Sequence, residues 1–226
     1  MKVGLITYQA PHSKTREVLE GIISRQYQLK IYGLPFRHRV ARKVLFDHRP
    51  DKGESVMPET LAQIYGIQYI ACNEDIDIDN SCDLYLILGA GILSKDCVKG
   101  KKIINCHPGI IPSSRGLDSF KWSLYMMRPL GVTLHFIDEQ VDLGQIISVV
   151  PTTVYWSDNL EILALRHYKN EIECLCQFEE HLVNPNNLFE DAKEFKAKMR
   201  MPHAQELELV NTFDLYKKKY AIHKID

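Results

Sequence analysis

Asp83-Leu84-Tyr85-Leu86-Ile87-Leu88, running straight into Gly89-Ala90-Gly91, is the stretch on which the fold class turns. Its apolar residues follow one another without polar alternation, the pattern of a strand covered on both faces, and such strands belong to sheets with helices above and below. Upstream, Lys2 to Tyr8 is a short β-rich apolar run, and Ser13 to Arg25 places Val18, Leu19, Ile22 and Ile23 on one helical face. Tyr27 to Leu34 reads as a second strand and Met57 to Tyr65 as a helix.

Downstream, Lys101 to Cys106 is another strand, and alternation puts Asn105 and His107 on one face and Cys106 on the other, in the core. Pro108 ends this strand. An amide donor and an imidazole side by side at a strand exit suit acyl transfer, because together they hold a carbonyl oxygen and handle a proton. Leu117 to Met127 has helical spacing; Val132 to Phe136 and Gln145 to Val150 resemble strands separated by the Asp138 to Gly144 loop. Asp158 to Leu182 is expected to contain one long helix packed on the sheet. Asn184-Pro185-Asn186-Asn187 is the clearest break. It divides an expected catalytic domain, 1–183, from a helical extension, 184–226, in which Pro202 to Tyr220 is amphipathic.

The 226 residues, 45% hydrophobic and 25% charged, exclude a disordered chain, and a formal net charge of -1 gives no global reason to expect nucleic acid or membrane as partner. Six scattered cysteines fit free thiols in a cytoplasmic protein, and Cys174-Leu175-Cys176 puts two thiols on different sides of a helix, so no metal is expected. No uninterrupted apolar run is long enough for a spanning helix.

Asn105-Cys106-His107-Pro108, Pro112-Ser113-Ser114-Arg115-Gly116, Trp122, Gly131-Val132-Thr133-Leu134-His135 and Asp142-Leu143-Gly144 occur in that order. The sequence thereby resembles the formyltransferases that use 10-formyltetrahydrofolate, with a weaker match extending upstream through Ser94 to Asp83 and to the first strand. The resemblance implies a Rossmann-like, mostly parallel α/β sheet flanked by helices and a catalytic set of Asn105, His107 and Asp142. Alone, Asn105 would read as a capping amide, His107 as a core histidine and Asp142 as a turn aspartate. Asn105 and His107 would stabilise the oxyanion, and Asp142 would orient or charge His107. The formyl donor would lie along Gly89, Ala90, Gly91, Ile92 and Leu93, with Ile92 and Leu93 as apolar walls and Ile137, Asp138, Glu139 and Val141 opposite. His135 is a core histidine or a partner of the site; Phe120 and Trp122 are expected to pack a helix on the sheet.

Within the family, the chain is too short for the C-terminal barrel of methionyl-tRNA formyltransferases. It lacks the glycine-rich phosphate loop of glycinamide ribonucleotide formyltransferases, having Tyr8-Gln9-Ala10-Pro11-His12-Ser13 instead, and it begins directly with the first strand, unlike formyltetrahydrofolate hydrolases. The expected acceptor is therefore a small-molecule nucleotide sugar: a UDP- or dTDP-linked 4-amino-4,6-dideoxysugar such as a UDP-4-amino-altrose derivative, destined for surface polysaccharide (lipopolysaccharide) or for pseudaminic acid. Ser113, Ser114 and Arg115 would face the amine-bearing sugar, the other reading being a turn into the Leu117 helix. The basic segment containing Arg37 and Arg39, through His48-Arg49-Pro50, offers forks for a diphosphate or is a solvated loop. The extension has three open roles, closing the active site, forming a dimer face or capping the core, and a homodimer is a further expectation. A small methionyl-tRNA- or glycinamide-ribonucleotide-type enzyme, and a non-catalytic folate or nucleotide binder, are the alternatives.

Overall fold

A computed structural model describes residues 1–36, 43–49, 56–137, 145–186 and 195–222. In chain order the elements are β1 (Lys2–Tyr8), α1 (Ser13–Ile22), β2 (Gln28–Leu34), α2 (Pro58–Tyr65), β3 (Gln68–Ala71), β4 (Leu84–Ile87), α3 (Lys95–Val98), β5 (Ile103–His107), α4 (Ser119–Tyr125), β6 (Gly131–Phe136), β7 (Ile146–Pro151), α5 (Leu160–Cys176), α6 (Phe178–Val183) and α7 (His203–Tyr220). The strands form one sheet in the order β3-β2-β1-β4-β5-β6-β7. β1 to β5 run parallel, and β6 and β7 are antiparallel additions. This is the expected mostly parallel, Rossmann-like α/β sheet.

The alternation of side chains sorts the core. Val3, Leu5, Leu86, Ile104, Cys106 and Leu134 face Val18, Leu19 and Ile22 of α1 and Cys174 and Leu175 of α5. On the opposite side, Ile6, Tyr32, Tyr85 and Ile103 pack with Cys97 and Val98 of α3. Because strand order departs in opposite directions from β1, the carboxyl ends of β1 and β4 border the crevice where open α/β sheets take their ligands.

Local chemistry explains most boundaries. Pro58 supplies the preset φ of a first helical turn, and Gly66, at φ 64, closes α2 in the left-handed conformation. The Asn159 side chain caps α5 by accepting from the Ile162 amide at 2.8 Å. The long helix expected within Asp158 to Leu182 is α5, which ends before Gln177 (φ -100, ψ 20), so Phe178 opens the short α6 rather than continuing it. That break turns Phe178 fully into the core beside Tyr27, with ring centroids 5.7 Å apart. β3 and α3 have only four residues each, too short to leave a periodic signal.

Residues 195–222 do not hang free of the sheet-bearing half. Leu209, Phe213 and Tyr216 of α7 share a core cluster with Phe120 and Leu124 of α4 and Leu163 and Ala164 of α5. At its centre Lys121 Nζ meets Glu206 Oε1 at 2.5 Å, with side-chain exposures of 1% and 0%. Lys121 also donates to the Phe46 carbonyl at 3.0 Å, and Glu206 Oε2 accepts from the Leu45 amide at 3.1 Å. One buried ion pair thus joins α4, α7 and the 45–46 segment.

Candidate active site

β5 brings Asn105 and His107 to its carboxyl end on one face, and the antiparallel register sets His135 opposite Asn105 and Thr133 opposite His107. Cys106 points the other way and is buried among the residues of α5. Four polar side chains from two strands therefore share a face at the sheet's carboxyl edge.

Asn105 Nδ2 and His135 Nε2 are 3.3 Å apart, and His135 Nδ1 lies 3.1 Å from the Phe136 carbonyl. A carbonyl only accepts, so His135 Nδ1 carries the hydrogen and Nε2 accepts from the Asn105 amide. The second hydrogen of Asn105 Nδ2 remains for a ligand oxygen, and its direction is fixed by the first. His135, fully buried, is the partner that orients Asn105.

His107 is held just as closely. Its Nε2 lies 2.9 Å from the Ser114 carbonyl and 3.0 Å from Ser119 Oγ. Thr133 Oγ1 donates to the Gly109 carbonyl at 2.7 Å and accepts from the Ile111 amide at 3.1 Å, tying the turn after His107 back to β6. Gly109 is required there: a Cβ would sit 2.7 Å from the Ser114 carbonyl oxygen and 3.0 Å from His107 Nε2.

Ser113 Oγ donates to the Ile110 carbonyl at 3.0 Å. Ser114, expected to face a sugar, is instead buried, its hydroxyl donating to the Ser119 carbonyl at 3.3 Å and accepting from Ser123 at 2.9 Å. Its part is to build the loop that holds His107. Arg115 is half-buried, and its carbonyl accepts from the Lys198 amide at 2.9 Å. Gly116 (φ 89) has no space for a Cβ against the backbone of Lys198. Leu117 and Phe195 bond the same way to Lys198 and Pro112, and Trp122 Nε1 donates to the Met199 carbonyl at 2.7 Å. Residues 195–201 thus run beside 112–118 and brace the loop that carries His107's partners.

At the β1/β4 crevice Gly89 is buried against Tyr8, whose ring would lie 2.7 Å from an added Cβ, and Tyr8 packs edge-on to His12 and Phe36. Ala90, Leu93 and Ile137 are half-buried together on the cluster that includes Val98 and Ile103, and Gly91 is exposed. Ile92, expected as an apolar wall beside Leu93, points outward at 83% exposure. Arg37, Arg39, Asp138, Glu139, Val141 and Asp142 lie outside the described residues. Among the described residues no group of His, Cys, Asp or Glu is arranged to hold a metal ion, and no helix is long and apolar enough to cross a membrane.

On the α5 side, where the sequence reading singled out nothing but the basic segment, a buried polar cluster adjoins the strand exit. Lys14 Nζ is 2.6 Å from Glu171 Oε1, and Arg49, half-exposed, brings its guanidinium to 3.8 Å from Oε2. Burial opposes the Glu171 charge, yet Lys14 and Arg49 outweigh it and hold the carboxyl at about 2. One turn earlier, His167 bridges Thr152 Oγ1 (2.8 Å) and the Pro108 carbonyl (3.3 Å); burial pushes its imidazole down to about 4, so it is neutral. Lys14 and Glu171 are far apart in sequence and neither has a motif around it, so only the three-dimensional fold could bring them to notice. A groove of about 440 Å³ bounded by Leu45, Phe46, Asp47, Glu161, Ala164 and Leu165 runs along the neighbouring stretch of α5 and is not lined by Asn105 or His107.

The family model described as formyl transferase matches residues 84–178. Over these residues the chain is similar to that family. The matched segment runs from β4 through α5 and contains Asn105, His107, Ser119 and His135. A phosphoribosylglycinamide formyltransferase of Bacillus subtilis is 32% identical over 94 residues, 41% of this chain and 48% of that protein. The matched stretches span less than half the length of the first curated relatives. Solved structures extend the likeness of fold to most of the chain. A 4-N formyltransferase from Francisella tularensis superposes with a TM-score of 0.58 at 19% identity, covering 91% of this chain and 85% of its own. The formyltransferase PseJ from Anoxybacillus kamchatkensis, solved with UDP-4,6-dideoxy-4-formamido-L-AltNAc and tetrahydrofolate, gives 0.54 at 18%, covering 97% and 98%.

Proposed function

We propose that the protein transfers a formyl group from 10-formyltetrahydrofolate to the amine of a nucleotide-linked amino-deoxysugar. The observation that carries the transfer chemistry is the Asn105–His135 pair beside the anchored His107. The amine attacks the formyl carbon, a C–N bond forms, and the carbonyl oxygen becomes an oxyanion. The remaining N–H of Asn105 and the N–H that His107 gains from the attacking amine are the donors aimed at that oxygen, and one such donor is commonly worth about 10²–10³ in rate. Asp142, close along the chain to the end of β6, is assigned to orient His107 and assist removal of the amine's proton. The folate supplies the activated formyl group. Ala90, Leu93 and Ile137 fit its flat ring, being small or apolar and gathered at the carboxyl end of β4.

Choice of acceptor rests on the β1 turn. A phosphate cradle needs open backbone amides. Here the Gln9 amide is spent on the Leu34 carbonyl at 2.7 Å, its side chain bonds the Gly33 and Cys72 carbonyls, Pro11 has no N–H, and Tyr8 fills the space over Gly89. That favours a sugar nucleotide over glycinamide ribonucleotide, even though the curated relatives include the latter's enzyme. Support also comes from the near-complete mutual coverage with a structure holding a UDP-linked formamido sugar. Ser113, Arg115 and the basic segment with Arg37 and Arg39 are assigned to the acceptor, for surface glycan or nonulosonic acid synthesis in the cytoplasm.

The test is incubation with 10-formyltetrahydrofolate and a panel of UDP- and dTDP-linked 3- and 4-amino sugars, with glycinamide ribonucleotide and methionyl-tRNA in parallel, scored by mass gain of one formyl group. Formylation of an amino sugar supports the reading. Product from only one of the other two acceptors replaces it, and donor binding with no product on any acceptor favours a non-catalytic module.

A further inference from the structure

His107 Nε2 faces two oxygens, and the identity of each determines where its hydrogens lie. The Ser114 carbonyl, 2.9 Å away, has only lone pairs, so Nε2 carries a hydrogen. Ser119 Oγ, 3.0 Å away, has a single hydrogen, and it is donated to the Gly116 carbonyl at 2.8 Å. The hydroxyl therefore turns a lone pair to the same Nε2–H. Both serines are buried, so water does not compete for these bonds. Ser119 sits where it does because Asp118, at φ 53, turns the chain in a conformation rare for a residue with a side chain, while its carboxylate accepts from the Met201 amide at 2.9 Å.

We propose that Ser119 is a positioning residue for formyl transfer, its hydroxyl holding His107 in the Nε2–H tautomer so that proton exchange with the reacting groups takes place at Nδ1. This rests on the formyl-transfer reading and adds to it a residue outside the Asn, His and Asp set. In the balanced step, the acceptor nitrogen bonds to the formyl carbon and loses a proton to Nδ1. That proton returns to the donor nitrogen as its bond to the formyl carbon breaks. Nε2 keeps its hydrogen throughout, bound to Ser114 and Ser119.

The experiment joins kinetics to a direct view of the ring. In ¹⁵N-histidine-labelled protein, long-range ¹H–¹⁵N spectra are expected to show His107 protonated at Nε2. In Ser119→Ala the ring keeps the Ser114 carbonyl as its one Nε2 partner and should show a larger share of the Nδ1–H tautomer than the unaltered protein, with kcat down about 10-fold and both KM values within about 2-fold, as for loss of an orienting contact. Ser119→Thr, which keeps the hydroxyl, should restore spectrum and kcat together. Ser119→Cys, isosteric but a poor acceptor, should behave as Ala does and covers the case in which Ala fails to fold. A wild-type tautomer pattern in both the Ala and Cys variants overturns the proposal, as does a loss confined to KM. If the unaltered protein formylates no acceptor, the transfer reading fails, while the spectra still decide whether Ser119 sets the tautomer.

Discussion

Asn105 and His135 stand directly opposite one another on β5 and β6 and are joined, side chain to side chain, at 3.3 Å. The pairing settles which end of the Asn105 amide is nitrogen and leaves one of its hydrogens committed. His135→Phe keeps the bulk and removes the acceptor. The expected result is a kcat about 10-fold lower with donor affinity little changed, from a freed amide rather than a lost one. Urea denaturation should show a loss of about 1–3 kcal/mol, because the part-buried Phe136 carbonyl also loses the His135 donor.

Gly109→Ala is expected to damage the site without touching a polar side chain. Its Cβ would meet the Ser114 carbonyl oxygen at 2.7 Å and the Ser119 Cβ at 2.8 Å, neither at the end of a flexible chain. Backbone displacement of this kind costs about 1–3 kcal/mol. Thermal unfolding and kcat should fall together, whereas Gly91→Ala, with nothing near its Cβ, should leave both unchanged.

The Lys14–Glu171 pair and His167 govern acid stability. His167, driven down to about 4 by burial, takes up its proton later in the folded chain than in the unfolded one. Stability therefore falls as pH drops from about 6.5 to about 4, by on the order of 3 kcal/mol. Glu171, held at about 2, adds a second loss below about 4.5, where the unfolded carboxylate protonates first. Unfolding free energy measured against pH should show both windows. His167→Gln should flatten the first and leave the second.

Glu206→Ala strands a buried Lys121 ammonium, with an expected cost of about 3–5 kcal/mol. Glu206→Ala combined with Lys121→Met should recover much of that in urea titration. A single variant no less stable than the unaltered chain would show that α7 is not held through this pair.

The sequence made the sheet and the candidate pair legible because both depend on short-range pattern: apolar runs for β1 and β4, two-residue alternation for Asn105 and His107. In the sequence His135 reads equally as a core histidine or a partner of the site, since its role depends on a strand register that no local spacing encodes. Nearness to His107 places Ser114 at the sugar in the sequence, with a turn into the next helix as the other reading, and the segment of residues 195–201 that runs alongside it comes from 80 or so positions later. Lys14, Glu171 and Lys121–Glu206 were silent for the same reason. The long helix within Asp158 to Leu182 is legible, but its end is not, because the periodicity runs on through Gln177 to Phe178, which is buried from a separate helix.

Residues 195–201 lie against Pro112, Arg115 and Leu117, and Met201 bonds Asp118. During synthesis β5 emerges long before them. The loop holding His107 must therefore stay unbraced until those later residues have left the ribosome, and the chemistry matures only after most of the sheet can already have formed. A nascent chain arrested before residue 195 would carry the sheet with an unfinished imidazole and with Lys121 still lacking its carboxylate.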